Sequence, residues 1–398
     1  MSSGVETDAA SLEGAVFCDA DTCRIRNLCY DPSSSSFFVP SGRTSVFIGV
    51  PDERPIQLGT VDIDIYPFHF DIRNASSLLG ARVSRVSPTA LLMSRNLPDN
   101  LMHVLHDDLV PLFSTMRQHG LSSDFVLQLL DDRPSGGPHA DLYASLSRHA
   151  VRHRSDLATL TCFRDAVVGL ARHSLWYQYG FRGPQGALPM KSSAGHLVAA
   201  YVEHQATTWR LPAASIDTDA PIVLIERVDT RRILNADELA KRLESEFGTH
   251  VERVSLEATP FRAIAALLRR SATLVGMHGG ALALAMFLPP GAALIELFPY
   301  AVPPGNYAPY ATLAGLQGVN VAYRAWANAN ESASVTHPDW PPRLGGIAHL
   351  DVEEQERIMA QEEVPPHKCC SDPAWLFRAY QDTVVDIDAV IDLIRSTR

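Results

Sequence analysis

The chain has 398 residues, with 34 Lys and Arg against 45 Asp and Glu, a formal net charge of −11. At roughly 150 residues per domain this length predicts two or three domains, and 46% apolar with 20% charged residues excludes a disordered or fibrous chain. An acidic total with no basic block argues against a nucleic-acid binder, whose footprint is a Lys/Arg-rich face.

Up to about Gly42 the sequence reads as an irregular extension carrying Cys18, Cys23 and Cys29 and the turn-forming Asp31-Pro32-Ser33-Ser34. With Cys162, Cys369 and Cys370 these are the six cysteines. No paired C-x-x-C set suggests zinc, so disulfide staples and an oxidising compartment are expected. The sequons Asn74-Ala75-Ser76 and Asn330-Glu331-Ser332 agree with that reading. Thr89 to Ser94 predicts a buried strand, and Asn100 to His119 a helix that bends near Pro111. Phe125 to Leu130 and Ala158 to Leu170 predict further strands, and Leu211 to Pro221 a linker.

Beyond the linker the pattern turns regular. Strands are expected at Ile222 to Ile225, Val251 to Leu256, Thr273 to Val275 and Ala293 to Phe298. Helices are expected at Asp237 to Phe247, Phe261 to Arg270, Ala281 to Phe287 and, last, Ala374 to Ile394. Short apolar strands alternating with helices specify an α/β fold with a parallel sheet covered on both faces. The stretch Ser271 to Ile295 lacks Asp, Glu, Lys and Arg. Its glycines, its prolines and His278 make it strand, turn, helix, turn, strand rather than a membrane span. Nothing near the N-terminus reads as a secretory signal.

Ligands of doubly wound sheets sit at the C-terminal ends of strands. Two such ends here carry chemistry. Glu226-Arg227-Val228-Asp229-Thr230-Arg231-Arg232 offers Arg227 and Arg231, whose guanidiniums can neutralise a diphosphate; alone, the loop reads equally well as a solvated charge cluster. Met277-His278-Gly279-Gly280-Ala281 places small residues where backbone amides can approach a phosphate. It is neither a dinucleotide fingerprint nor a P-loop. Glu296, at the end of the next strand, can hold a ribose hydroxyl.

A third feature lies on the helix expected from Asn100. Asn100, His103 and Asp107 share one face, with His106 beside them, and a His/carboxylate cluster can act as general base. The same residues also suit helix capping. Asp-x-Asp pairs at Asp19/Asp21, Asp62/Asp64 and Asp386/Asp388 end no strand of the second half, so no catalytic metal is expected.

Met277-His278-Gly279, Leu288-Pro289, Glu296-Leu297-Phe298-Pro299-Tyr300 and Tyr307-Ala308-Pro309-Tyr310 resemble an inverting glycosyltransferase family. That family includes EGF-domain O-GlcNAc transferase and plant β-1,2-xylosyltransferase. The agreement is closer with its members that extend protein O-linked mannose. It runs through Pro98 to Val104, His106-Asp107-Asp108 and Trp176 to Phe181. It continues at Ile233-Leu234-Asn235, Val335 to Pro338, Cys369-Cys370 and Tyr380 to Thr383.

The resemblance implies a GT-B-type fold of two facing Rossmann-like domains, with the donor bound mainly by the second. It implies divisions at 1–42, 43–211, 212–365 and 366–398: the cysteine-containing extension, the acceptor-side domain, the donor-side domain and a segment packing back on the body. It implies UDP-GlcNAc as donor, bound by Arg227, Arg231, His278, Gly279, Gly280 and Glu296, and an O-mannosylated protein such as dystroglycan as acceptor. Arg227 and Arg231 fall where the family places its donor-side arginines. A metal is not expected, so these arginines and the amides after His278 would meet the charge of the leaving UDP. His103, His106 and Asp107 are the candidate bases, the last two slightly ahead because adjacency lets one orient the other. An endoplasmic reticulum or Golgi location is implied. Members of this type carry a membrane anchor and a fibronectin type III domain, neither legible in this sequence. UDP-xylose as donor, an EGF-domain acceptor, and a non-catalytic glycan-binding relative are the alternatives.

Overall fold

The computed structural model describes residues 12–50, 55–61, 66–133, 137–181, 183–189, 193–368 and 371–398. Asp62, Asp64, Cys369 and Cys370 lie outside the described residues. The chain divides into two compact units, Met1–Ser174 and Leu175–Arg398. The division therefore falls well before the Leu211–Pro221 stretch expected to be a linker.

The first unit is built on a mixed sheet. Its strands are β1 (Ala15–Cys18), β2 (Cys23–Asp31), β3 (Ser36–Ser41), β4 (Val46–Ile48), β5 (Phe70–Asn74), β6 (Ser84–Val86), β7 (Thr89–Met93), β8 (Phe125–Leu129) and β9 (Thr161–Val168). The main path runs β4-β1-β2-β9-β7-β8, with β3 and β6 joined to its flanks. The run β9-β7-β8 is parallel, whereas β2 pairs antiparallel with β1, β3 and β9. The expectation of an irregular N-terminal extension is overturned: Val16, Ile25, Leu28 and Val39 are core residues of this sheet. Alternation in Cys23–Arg26, buried then exposed, is the period-2 signal of a half-buried strand. Nor is the unit a purely parallel Rossmann-like domain, because β2 runs antiparallel to its three neighbours β1, β3 and β9.

Two disulfides follow the strand registers. Cys18 faces Cys23 across the β1/β2 pair and Cys29 faces Cys162 across β2/β9, and both pairs are bonded. The second closes a separation of 133 residues, so it pins the N-terminal strands to the parallel part of the sheet.

The second unit holds β10 (Ile222–Ile225), β11 (Val251–Val254), β12 (Thr273–Met277), β13 (Ala293–Phe298) and β14 (Ala322–Ala327). All neighbours are parallel, in the order β11-β10-β12-β13-β14. In chain order that is 2-1-3-4-5, a doubly wound sheet whose direction of winding reverses between β10 and β12. Helices Ala236–Phe247 and Ile387–Arg395 pack on one face through Leu239, Leu243, Val390, Ile391 and Ile394. On the other face lie Phe261–Leu268 and the segment Gly280–Phe287. That segment is 3-10 rather than the α-helix expected.

The expected final helix is also interrupted. It becomes Pro373–Ala379, the two-residue strand Asp382–Thr383, and Ile387–Arg395. Asp386 caps the last helix, accepting from the Ala389 amide, which fixes where it starts. Among the described residues no helix is long and apolar enough to cross a membrane.

Candidate active site

In the first unit the chain leaves β7 and enters a helix whose second turn is wide. Leu101–His103 is α-helical, Val104–Leu109 is π-helical, and Val110–Gln118 returns to α. Pro111 explains the local geometry: lacking an N–H, it leaves the Asp107 carbonyl open, and the Thr60 hydroxyl donates to that carbonyl at 2.8 Å. The wide turn turns His106, Asp107 and Asp108 inward together, and all three are buried. Such π-bulges occur often at functional sites.

Asp107 bridges two imidazoles. Its Oδ2 lies 2.5 Å from His103 Nδ1 and its Oδ1 2.5 Å from His106 Nδ1. Burial alone would raise this carboxyl, but the two imidazoles outweigh it and hold Asp107 down to about 2. An ionised carboxylate can only accept, so both rings donate from Nδ1. In its neutral form each then carries its lone pair on Nε2, the arrangement of a general base oriented by a carboxylate. Asn100, by contrast, caps the helix, accepting from the Met102 amide at 3.1 Å.

Behind this array is a second buried chain that the sequence reading missed. Tyr143 donates to Asp108 Oδ2 at 2.5 Å, and the Arg95 guanidinium sits 5.7 Å from the Tyr143 ring centre and pairs with Asp131 at 2.7 Å. Burial, reinforced by Asp107 and Asp131, drives the Asp108 carboxyl well above the ordinary range. Tyr143 is some 35 residues from Asp108, so no local spacing signals the contact.

The second unit gathers its candidates at the winding reversal. Arg227 and Arg231 leave the C-terminal end of β10, His278 and Gly279 that of β12, and Glu296 lies on β13. Arg231 takes a left-handed backbone (φ 58°), donates through Nη1 to the His278 carbonyl at 3.0 Å, and lies 4.4 Å over the Tyr380 ring. The Nε atoms of Arg227 and Arg231 are buried with no hydrogen-bond partner among the described residues. Burial and the neighbouring Arg231 charge lower the Arg227 guanidinium to about 10. Two half-buried, under-satisfied cations side by side are an arrangement that an anion would stabilise.

His278 Nδ1 lies 2.5 Å from Glu296 Oε1, and the other carboxylate oxygen accepts from Tyr323 at 2.7 Å. Burial and the Glu296 charge push the Tyr323 phenol upward, keeping it a donor. Phe298 stacks on the imidazole at 4.9 Å. Gly279 makes room for the guanidinium: a Cβ on it would lie 2.6 Å from Arg231 Nη1 and force that side chain to shift. Gly280 opens the 3-10 segment. Glu296 is thus engaged with His278 and Tyr323, where a ribose contact was expected. The loop is held from the C-terminal segment: the Arg231 amide donates to the Tyr380 carbonyl, and Arg232 pairs with Asp382 at 2.6 Å. Among the described residues no three His, Cys, Asp or Glu side chains gather as metal ligands.

These positions sit inside a region shared with known proteins. Residues 101–295 match the family model described as Glycosyltransferase 61. The "Protein O-linked-mannose beta-1,4-N-acetylglucosaminyltransferase 2" of Tetraodon nigroviridis is 39% identical over 389 residues, covering 94% of this chain and 66% of the relative. The protein of that name in Homo sapiens is 39% identical over 385 residues with the same coverage. The Takifugu rubripes protein is 37% identical over 396 residues, covering 67% of the relative. The chain therefore spans about two thirds of the length of these relatives. On the similarity along nearly all of its length, the chain belongs to the glycosyltransferase 61 family.

Proposed function

We propose that the chain is an inverting GT-B-type glycosyltransferase that moves GlcNAc from UDP-GlcNAc to O-linked mannose on a protein, forming a β-1,4 linkage. The observation that carries this reading is the pair of half-buried guanidiniums of Arg227 and Arg231, each with a buried and unpartnered Nε among the described residues, at the reversal point of a parallel sheet. A nucleoside diphosphate is the ligand class such crevices take. The leaving UDP gains negative charge as the glycosidic bond breaks, and preorganised cations and amides stabilise that charge most effectively in a buried site. Arg227, Arg231 and the amides after His278 supply this without a metal. Gly279 lets Arg231 approach, and Glu296 with Tyr323 orients His278.

Inversion requires a group that takes the acceptor hydroxyl's proton as the opposite face of the anomeric carbon is attacked. His103 and His106, each oriented by Asp107, have the geometry for it, so the imidazoles are the bases and Asp107 the group that orients them. That revises the ranking based on adjacency alone. The relatives' names support an O-mannosylated protein as acceptor, of which dystroglycan is the example implied by the resemblance. Two disulfides support an oxidising compartment, which we take to be the endoplasmic reticulum or Golgi lumen.

The test is a donor panel with an O-mannosyl peptide, products weighed by mass spectrometry, with and without EDTA. A single HexNAc added from UDP-GlcNAc, with most activity surviving EDTA, is expected. A pentose added from UDP-xylose, or activity lost to EDTA and restored by Mn²⁺, would overturn the donor or the metal assignment respectively.

A further inference from the structure

A second concentration of positive charge lies in the first unit, where the sequence shows no basic run. Arg24 and Arg26 project from alternate positions of β2, Arg164 from β9 and Arg85 from β6. The sheet registers bring them to one cleft of about 750 Å³, because β2 pairs with β9 and β9 with β6. All four are solvent-exposed residues. Among the described residues the only carboxylate lining the cleft is Asp165, and it is already engaged. Arg24 holds it through two hydrogen bonds at 3.0 and 2.8 Å, and Thr89 donates to it at 2.8 Å. Among the described residues no ion pair engages Arg26, Arg85 or Arg164.

Like charges gathered in a concave site repel one another, and a chain of net charge −11 has carboxylates enough to have paired them. The lining also limits the ligand. Besides the arginines and Asp165 it consists of Asn27, Ser87 and the half-cystine Cys162, with no aromatic ring and no aliphatic side chain. The cleft therefore offers no aromatic ring to sandwich a nucleobase and no aliphatic surface to bury an acyl chain. Guanidinium forks match tetrahedral oxyanions, and the hydroxyl and amide suit the hydroxyls of a sugar. We infer that Arg26, Arg85 and Arg164 form a binding site for a sugar monoester, phosphate or sulfate, built from residues other than those of the Arg227/Arg231 site. This inference does not depend on the reaction proposed above.

The experiment is calorimetric titration at fixed ionic strength with glucose 6-phosphate, N-acetylglucosamine 6-sulfate, inorganic phosphate and glucose. It is run on the full chain carrying Arg227→Ala, so that the other arginine site contributes little. One or both monoesters should bind, glucose should not, and the tighter monoester identifies the oxyanion. Adding Arg85→Gln and Arg164→Gln, which remove the charge but keep a polar, hydrogen-bonding side chain, should weaken binding by about tenfold for each charge removed. Because neither side chain carries an ion pair, the thermal midpoint should stay put. Binding that survives both substitutions, or no monoester binding tighter than glucose, would overturn the site. Inorganic phosphate binding as tightly as glucose 6-phosphate would overturn the sugar component.

Discussion

Each unit contains a buried carboxylate bonded to imidazole Nδ1, yet the surroundings give the two arrays opposite characters. In the first unit one carboxylate, Asp107, serves two imidazoles, and the carboxyl of Asp108 lies directly behind. In the second unit one imidazole, His278, meets one carboxylate, and beside it stand two guanidiniums whose Nε atoms are unsatisfied. The first array holds one ionised carboxylate, Asp107, with no surplus cation beside it, and suits taking up a proton. The second has positive charge in surplus and suits holding an anion. The same pair of residue types is therefore no guide to role, and the charge left over around the pair is.

The comparison breaks most sharply at Asp107. Asp107→Asn keeps the volume but gives up the charge that fixes both Nδ1–H groups, so kcat should fall by about 10²- to 10⁴-fold, with UDP affinity unchanged by calorimetry. Loss of UDP binding in this variant would merge the two roles that the structure separates. A smaller effect is expected at Gly279→Ala, where the new Cβ must displace Arg231 from the His278 carbonyl. UDP should bind about tenfold more weakly, the order of one charge-assisted contact, and an unaltered Kd would mean that Arg231 does not touch the diphosphate.

The smallest effect concerns Asp108. Its folded-state pKa is raised above the ordinary value near ~3.9. The stability it contributes is therefore full below that pH and is lost as pH rises through the folded pKa. Asp108→Asn, permanently neutral, escapes that loss. The difference between variant and wild-type thermal midpoints should grow in the variant's favour between pH 5 and pH 9. A difference independent of pH would show that Asp108 is ionised throughout.

Much of the second unit was legible, because parallel strands buried on both faces read as short apolar runs, and Ile222–Ile225 and Ala293–Phe298 fall where expected. Its arginines and His278 were legible too, as polar residues at strand ends. The first unit was harder. Cys23–Asp31 was lost among turn residues and cysteines, and its register with Thr161–Val168 is a contact across more than a hundred residues. The roles of Tyr143 and Tyr323 rest on contacts 35 and 27 residues apart, and those of Tyr380 and Asp382 on contacts as distant as the β2/β9 register, none of them signalled by local spacing. The His103/Asp107 pairing was visible from helical spacing, but the π turn that brings His106 onto the same carboxylate was not. Pro111 signalled a bend without giving its form.

The central claim is that the surplus positive charge of the second unit binds the donor diphosphate. Its most direct test is turnover of Arg227→Ala, followed by UDP release with UDP-GlcNAc and an O-mannosyl peptide, alongside the thermal midpoint. The substitution removes a half-buried cation that makes no ion pair among the described residues and is repelled by Arg231, so the midpoint should hold or rise while turnover falls by orders of magnitude. Wild-type turnover in a folded Arg227→Ala protein would contradict the account.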